Sequence, residues 1–194
     1  MIVEEVILEG ERVRMEPLRA EHLDAMTEAG IADGVWRWTV QDITTKDQMK
    51  FYLDTALDEK ARGVSLPFVT RDLVLDKIVG STRFGNIDAA NRRAEIGWTW
   101  IHPDSQRSYV NTEAKLLMLT HAFETWRCLR VELKTDALNQ KSRNAILRIG
   151  AKFEGIFRNH MITESGRLRD TAYFSIIDSE WPVVKRDLQS KLGK

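Results

Sequence analysis

Residues 102–111, HPDSQRSYVN, gather hydrogen-bond donors just ahead of a helix. Gln106, Arg107, Ser108 and Asn111 carry polar side chains, and the helix behind them begins with N–H groups that have no intrahelical partner. Its dipole adds a partial positive charge, so a strand–loop–helix junction of this kind suits a phosphate or another anion. An ordinary capped turn, with Asn111 as N-cap, would have the same composition. Tyr109 stands out as the one bulky side chain in the run. Other chemistry-bearing types are scarce. His22, His102, His121 and His160 show no metal-ligand spacing, and the single cysteine, Cys128, lies in an apolar stretch with no activating histidine beside it in sequence. Neither a metal nor a cysteine nucleophile is expected.

The elements that must position this loop follow from periodicity. Residues 12–15, RVRM, alternate as a strand does, and Pro17 stops them. Leu23, Met26 and Ala29 give residues 20–30 a helical stripe; Met49, Tyr52, Leu53 and Ala56 do the same for 45–62, with Gly63 past the end. Three strands follow, VSLPFVTRD, DKIVGSTRFGNID and RAEIGWTWI, joined by turns near 73–77 and 89–92 and so antiparallel. Alternation sets Ala94, Ile96, Trp98 and Trp100 on one side of the third strand and Glu95, Gly97, Thr99 and Ile101 on the other. After a helix over 112–126, LRVELKTDAL reads as a strand and NQKSRNAILRIG as a helix capped by Asn139 and ended by Gly150. Two strands joined by TESG and an amphipathic helix from about residue 179 close the chain. The expected class is α/β (α+β), a mixed sheet with helices on both faces, in a single domain over 1–194.

Lys plus Arg equals Asp plus Glu at 29 each, which leaves no net field to draw the chain onto nucleic acid or an anionic membrane. The opening MIVEEVILEGER has no long apolar run, so neither a secretory signal nor a membrane span is expected. One cysteine fits a reducing, cytoplasmic compartment.

Six stretches carry a resemblance through their order and spacing: LEGERVRMEPL, AEIGWTWIHP, NTEAKLLML, RVELKTDALNQKSRNAILRIGAKFEG, FRNHMI and RDTAYFSII. Residues 10–178 resemble the RimJ/RimL-type branch of the GNAT superfamily of acetyl-CoA-dependent N-acetyltransferases. The resemblance implies a GNAT fold, with a mixed, mostly antiparallel sheet of about seven strands, and acetyl-CoA as co-substrate without a metal. It also implies that the loop from Gln106 through Arg107, Ser108, Tyr109 and Val110 to Asn111 and Thr112 cradles the CoA pyrophosphate. Tyr109 stands where the family pattern has glycine. If that position needs φ > 0, a tyrosine costs about 1–3 kcal/mol of strain or displaces the loop. If φ is negative, the glycine only kept a Cβ away, and a tyrosine directed to solvent fits.

The chemistry implied is direct attack of an amine on a thioester, which needs a base, an oxyanion donor and a proton for the leaving thiolate. Glu95 is the candidate base; its alternative role is a salt bridge to Arg92, Arg93 or a neighbouring strand. Backbone N–H groups near Trp98, Thr99 and Trp100 would meet the oxyanion if a bulge, permitted by Gly97, splays the strands. Where many relatives carry a tyrosine acid, this chain has Ile146, so Ser142 takes that role or is simply an early-helix serine. Asn139 would bind the pantetheine arm while capping its helix. Trp36 and Trp38 would wall the acceptor cleft or fill the core, and His160 is a second base, an acceptor contact or a structural group. The implied acceptor is a primary amine, above all a protein or peptide N-terminus. The alternatives are a small-molecule amine or a non-catalytic acyl-CoA sensing module. The last helix could cover the sheet or meet a second copy in a homodimer.

Overall fold

In the computed structural model, which describes residues 1–193, alternate residues of one strand, β3 (Leu66–Asp72), enter two different cores. Phe68 belongs to the core that holds Phe84, Val110, Met118 and Phe174, while Val69 belongs to the one that holds Met49, Leu53 and Trp100. This is the period-2 rule applied to a sheet covered on both faces. The sheet has eight strands in the order β1-β2-β3-β4-β5-β6-β8-β7. The others are β1 (Leu8–Glu9), β2 (Val13–Pro17), β4 (Lys77–Asp88), β5 (Arg93–Ile101), β6 (Arg130–Asp136), β7 (Lys152–Ile162) and β8 (Leu168–Ile177). The strand beyond the expected seven is β1, whose two residues pair with Met15 and Arg14 and are too few for alternation to announce. Every neighbouring pair is antiparallel except β5–β6.

Helices α1 (Leu23–Gly30) and α2 (Lys46–Ala61) supply the core that holds Val69, and α3 (Tyr109–Thr120), α4 (Gln140–Arg148) and α5 (Trp181–Lys191) supply the one that holds Phe68. Thr45 caps α2 in a reciprocal box with Gln48. α3 starts three residues earlier than periodicity suggests, because Ser108 rather than Asn111 is its N-cap, accepting from the Val110 N–H at 3.2 Å. It ends in a wider π turn over His121–Thr125.

Two irregularities set the local geometry of β5. Its pairing with β6 covers only Arg93, Ala94 and Glu95 opposite Arg130, Val131 and Glu132, although both strands run on. Between Gly97, paired with Arg83, and Trp100, paired with Ser81, β5 has two residues opposite the single Thr82. This bulge places Trp98 at φ 50° and inverts the expected alternation. Ala94 and Ile96 face α3, whereas Trp100 is buried against α1 and α2.

Candidate active site

The donor-rich loop is held by one hydroxyl and one side-chain amide. Ser108 Oγ donates to the Ser105 carbonyl at 2.6 Å, and the Gln106 amide donates to the Ile101 carbonyl at 2.9 Å. The positive φ falls on Arg107, at 59°, and not on Tyr109, which is the first helical residue. The glycine's absence therefore strains nothing at 109. Nor does Tyr109 point to solvent. Its hydroxyl donates to both oxygens of the buried Asp72 carboxylate at 2.8 Å, and the Arg12 guanidinium lies 4.3 Å from its ring centre. Asp72 also accepts from the Val74 and Leu75 N–H groups at the β3–β4 turn. Burial and the Asp72 carboxylate raise the Tyr109 pKa, so the phenol keeps its proton at neutral pH. Arg107 and Gln106 are exposed, Asn111 is half-buried, and the α3 N-terminus behind them has its dipole aimed at the loop. Val110 and Thr112 are buried, Thr112 accepting from Arg148 at 2.6 Å, so they offer main chain rather than side chain to a ligand.

Glu95 sits where β5 and β6 part. It is 2% exposed, and one oxygen, Oε2, accepts from Asn86 Nδ2 at 2.7 Å and pairs with Lys134 Nζ at 2.9 Å. The salt bridge considered from sequence thus exists, with its partner on the neighbouring strand β6. Asn86 reaches Glu95 because β4 carries its own bulge, with Asn86 at φ 46°. A Cβ on Gly97 would lie 2.6 Å from Glu95 Oε1, so that glycine clears room for the carboxylate; Gly85 does the same for the Trp98 ring. Trp98 and Tyr173 flank the Lys134 ammonium at 5.7 and 5.9 Å from their ring centres. Glu95, Asn86, Tyr173 and Phe157 line a cleft of about 500 Å³. Burial raises the Tyr173 pKa, leaving a protonated phenol in this cleft. Past Glu95, the edge of β5 that faces β6 has no ladder partner, and N–H groups there are open donors.

The remaining expected residues divide. Asn139 caps α4, accepting from the Ser142 N–H at 3.1 Å, which leaves its amide NH₂ free to bind elsewhere; Ser142 stands in the first turn, half-buried. Ile146 is core. Trp36 is core as well: 6% exposed, it donates to the Gly30 carbonyl at 2.8 Å and packs on Tyr52 and Trp100. Trp100 likewise contributes only main chain to the β5 edge. Trp38 is half-buried between Arg37 and Arg167. Its segment meets the β7–β8 turn, where the Glu164 N–H donates to the Val40 carbonyl at 2.9 Å, around a second cleft of about 370 Å³. His160 is exposed on β7, packed edge-on to Phe157 and Tyr173. Burial, with the nearby Lys134 and Arg169, lowers its pKa, so it is neutral at pH 7. Sequence reasoning missed Asn86, Lys134 and Tyr173, which come together only through strand register: Lys134 opposes Tyr173 across β6–β8.

The chain is similar in sequence and fold to known proteins. Residues 12–152 match the family model described as Acetyltransferase (GNAT) domain. The chain is 29% identical over 170 residues to the Bacillus subtilis protein named "Putative ribosomal N-acetyltransferase YdaF", covering 86% of this chain and 90% of that one. The crystal structure of a GCN5-related N-acetyltransferase from Brucella melitensis superposes with a TM-score of 0.90 at 35% identity, over 97% of this chain and 86% of that one. Mycobacterium smegmatis RimJ in complex with CoA-disulfide shares the fold, with a TM-score of 0.79 at 24% identity over 92% of this chain and 88% of that one.

Proposed function

The chain belongs to the GNAT acetyltransferase family, and from that membership we propose that it moves an acetyl group from acetyl-CoA to the N-terminal α-amine of a protein or peptide. The observation that carries the chemistry is the buried Glu95 carboxylate, set in an open cleft at the point where β5 and β6 part. A buried carboxylate beside a strand edge of open N–H donors supplies two of the three groups the reaction needs. Glu95 takes the proton of the incoming ammonium. The free β5 edge near Trp98 and Thr99 donates to the oxygen on which charge develops.

The loop from Gln106 to Asn111 fits a pyrophosphate, since its half-buried and exposed donors lie at a helix N-terminus and Tyr109 is drawn away from it by Asp72. Asn139 holds the thioester arm through its free amide, and Ser142 returns a proton to the thiolate. Trp38 and the β7–β8 turn form the outer wall for the acceptor, with Tyr173 and His160 nearer the base. The likeness to YdaF, whose name specifies a ribosomal acceptor, supports a protein amine over a small one. Because the base lies inside the cleft, an acceptor needs an extended, unhindered end to reach it, as a chain terminus has.

The test is acetyl transfer to hexapeptides with N-terminal alanine or serine, read by mass spectrometry, beside spermidine and an aminoglycoside. A gain of one acetyl on the peptide α-amine supports the proposal. Transfer only to the small amines would overturn the acceptor assignment.

A further inference from the structure

Lys115 lies on the sheet-facing side of α3, in the apolar run that includes Ala114, Leu116, Met118 and Leu119. It is 4% exposed. A lysine in that place is costly, because an ammonium removed from water needs a compensating partner. Burial lowers its pKa to about 7, the direction expected of an ammonium held away from water. Nζ donates to Thr99 Oγ1 at 2.8 Å and to Thr82 Oγ1 at 3.3 Å, and those two hydroxyls are 2.7 Å apart.

Both threonines belong to the β5 bulge. Thr82 is the single β4 residue opposite Trp98 and Thr99, and its hydroxyl also lies 3.1 Å from the Gly97 carbonyl. On the other face of the sheet, Tyr52 of α2 donates to the Trp98 carbonyl at 3.2 Å. A tryptophan at φ 50° is an unfavourable conformation, persisting only where its surroundings hold it. Lys115 braces its backbone from one face through the two threonines and Tyr52 from the other, while Arg83 and Lys134 lie against its ring at 5.0 and 5.7 Å. Thr99 itself is exposed at the stretch of β5 that has lost its β6 partner.

We propose that Lys115 is a positioning residue for acetyl transfer: clamped on the Thr82 and Thr99 hydroxyls, it locks the β5 bulge in the form that aims the open N–H edge at the acyl carbonyl. This rests on the acetyl-transfer reading above and names the group that keeps its oxyanion donors in place. A donor misplaced by a fraction of an ångström loses most of its value in the transition state while ground-state binding changes little. A lysine kept for this purpose should therefore help turnover at the expense of stability.

The experiment compares wild type, Lys115→Met, Thr99→Val and the double variant by thiol release from acetyl-CoA, to an N-terminal-serine hexapeptide and to water, with calorimetric affinity for CoA and thermal midpoint alongside. The expected result for K115M is a kcat lowered at least tenfold, a CoA affinity within threefold of wild type and a midpoint equal to or above it, since methionine fills the space without a buried charge. T99V should show a similar loss, and the double variant little more than either, because the two side chains act as one unit. Unchanged kcat in K115M overturns the proposal, as does a joint loss of kcat, affinity and midpoint, which would make the lysine a packing element. Should K115M fail to fold, unchanged kcat in T99V overturns it alone. A wild type that releases thiol to water but not to peptide would sink only the acceptor assignment, with the Lys115 comparison then read from the water reaction; one that releases none to either sinks both.

Discussion

At Tyr109 a phenol replaces the glycine that the family resemblance led us to expect, and its hydroxyl reaches a carboxylate 37 positions earlier in the chain. Two conformations were open from sequence, and the structure answers with negative φ and a buried partner. Asp72 could not be named in advance, because nothing local marks which turn the ring will meet; only the packing of α3 over β2 and β3 brings them together. Glu95 was legible for its place on a strand, but its neighbours Asn86 and Lys134 were not. Removing the Tyr109 hydroxyl leaves Asp72 with its two backbone donors and one fewer charged hydrogen bond. Tyr109→Phe should therefore lose about 1.5–3 kcal/mol, a thermal midpoint lower by roughly 3–12 °C for a chain of this size. A midpoint unchanged in a thermal melt would mean that the phenol–carboxylate contact contributes nothing.

At the scale of elements, the bulge in β5 decides which side chains reach the cleft. Periodicity located the strand correctly at Arg93–Ile101, and the resemblance with Gly97 anticipated a bulge; strict alternation still put Trp98 and Trp100 on the Ala94 face, because it does not allow for the extra residue. The bulge takes both off the Ala94 face, leaving Trp98 exposed beside Gly85 and burying Trp100 against α1 and α2. The helix start at Tyr109 was displaced for a similar reason: Ser108 and Asn111 are both competent caps, and the choice between them depends on where the loop enters. Gly97 is the residue of β5 that leaves space for the Glu95 carboxylate. Gly97→Ala would put a Cβ 2.6 Å from Glu95 Oε1 and force that side chain to turn. Its kcat should fall on the order of tenfold to a hundredfold while CoA affinity stays within threefold of wild type, measured by steady-state kinetics and calorimetry. Wild-type turnover would show that the position of Glu95 is not critical.

For the whole molecule, element order and the two-faced sheet were readable because long helices and strands repeat their apolar residues, whereas the parting of β5 from β6 is a property of the assembled sheet. Among the described residues no helix is long and apolar enough to cross a membrane. Acetyl-CoA at a hundred times its dissociation constant should add about 2.7 kcal/mol, a midpoint rise of roughly 5–11 °C; no rise, with a flat titration, would remove the loop from CoA binding. Stability should also respond to pH through Lys115. Its pKa is about 7 when folded, below the value of 10.5 for a free lysine, so the unfolded chain binds more protons between these limits. This group then makes stability climb as pH rises from about 7 toward 10, and the climb should be shallower in K115M by chemical denaturation at each pH; parallel curves would mean that Lys115 titrates normally. The most direct measurement is turnover with an N-terminal-serine peptide in wild type and Glu95→Gln, with CoA affinity determined on both. A kcat lower by about 10²–10⁴-fold at unchanged affinity is the expected result. Equal turnover in the two proteins would remove Glu95 as the base and contradict the mechanism.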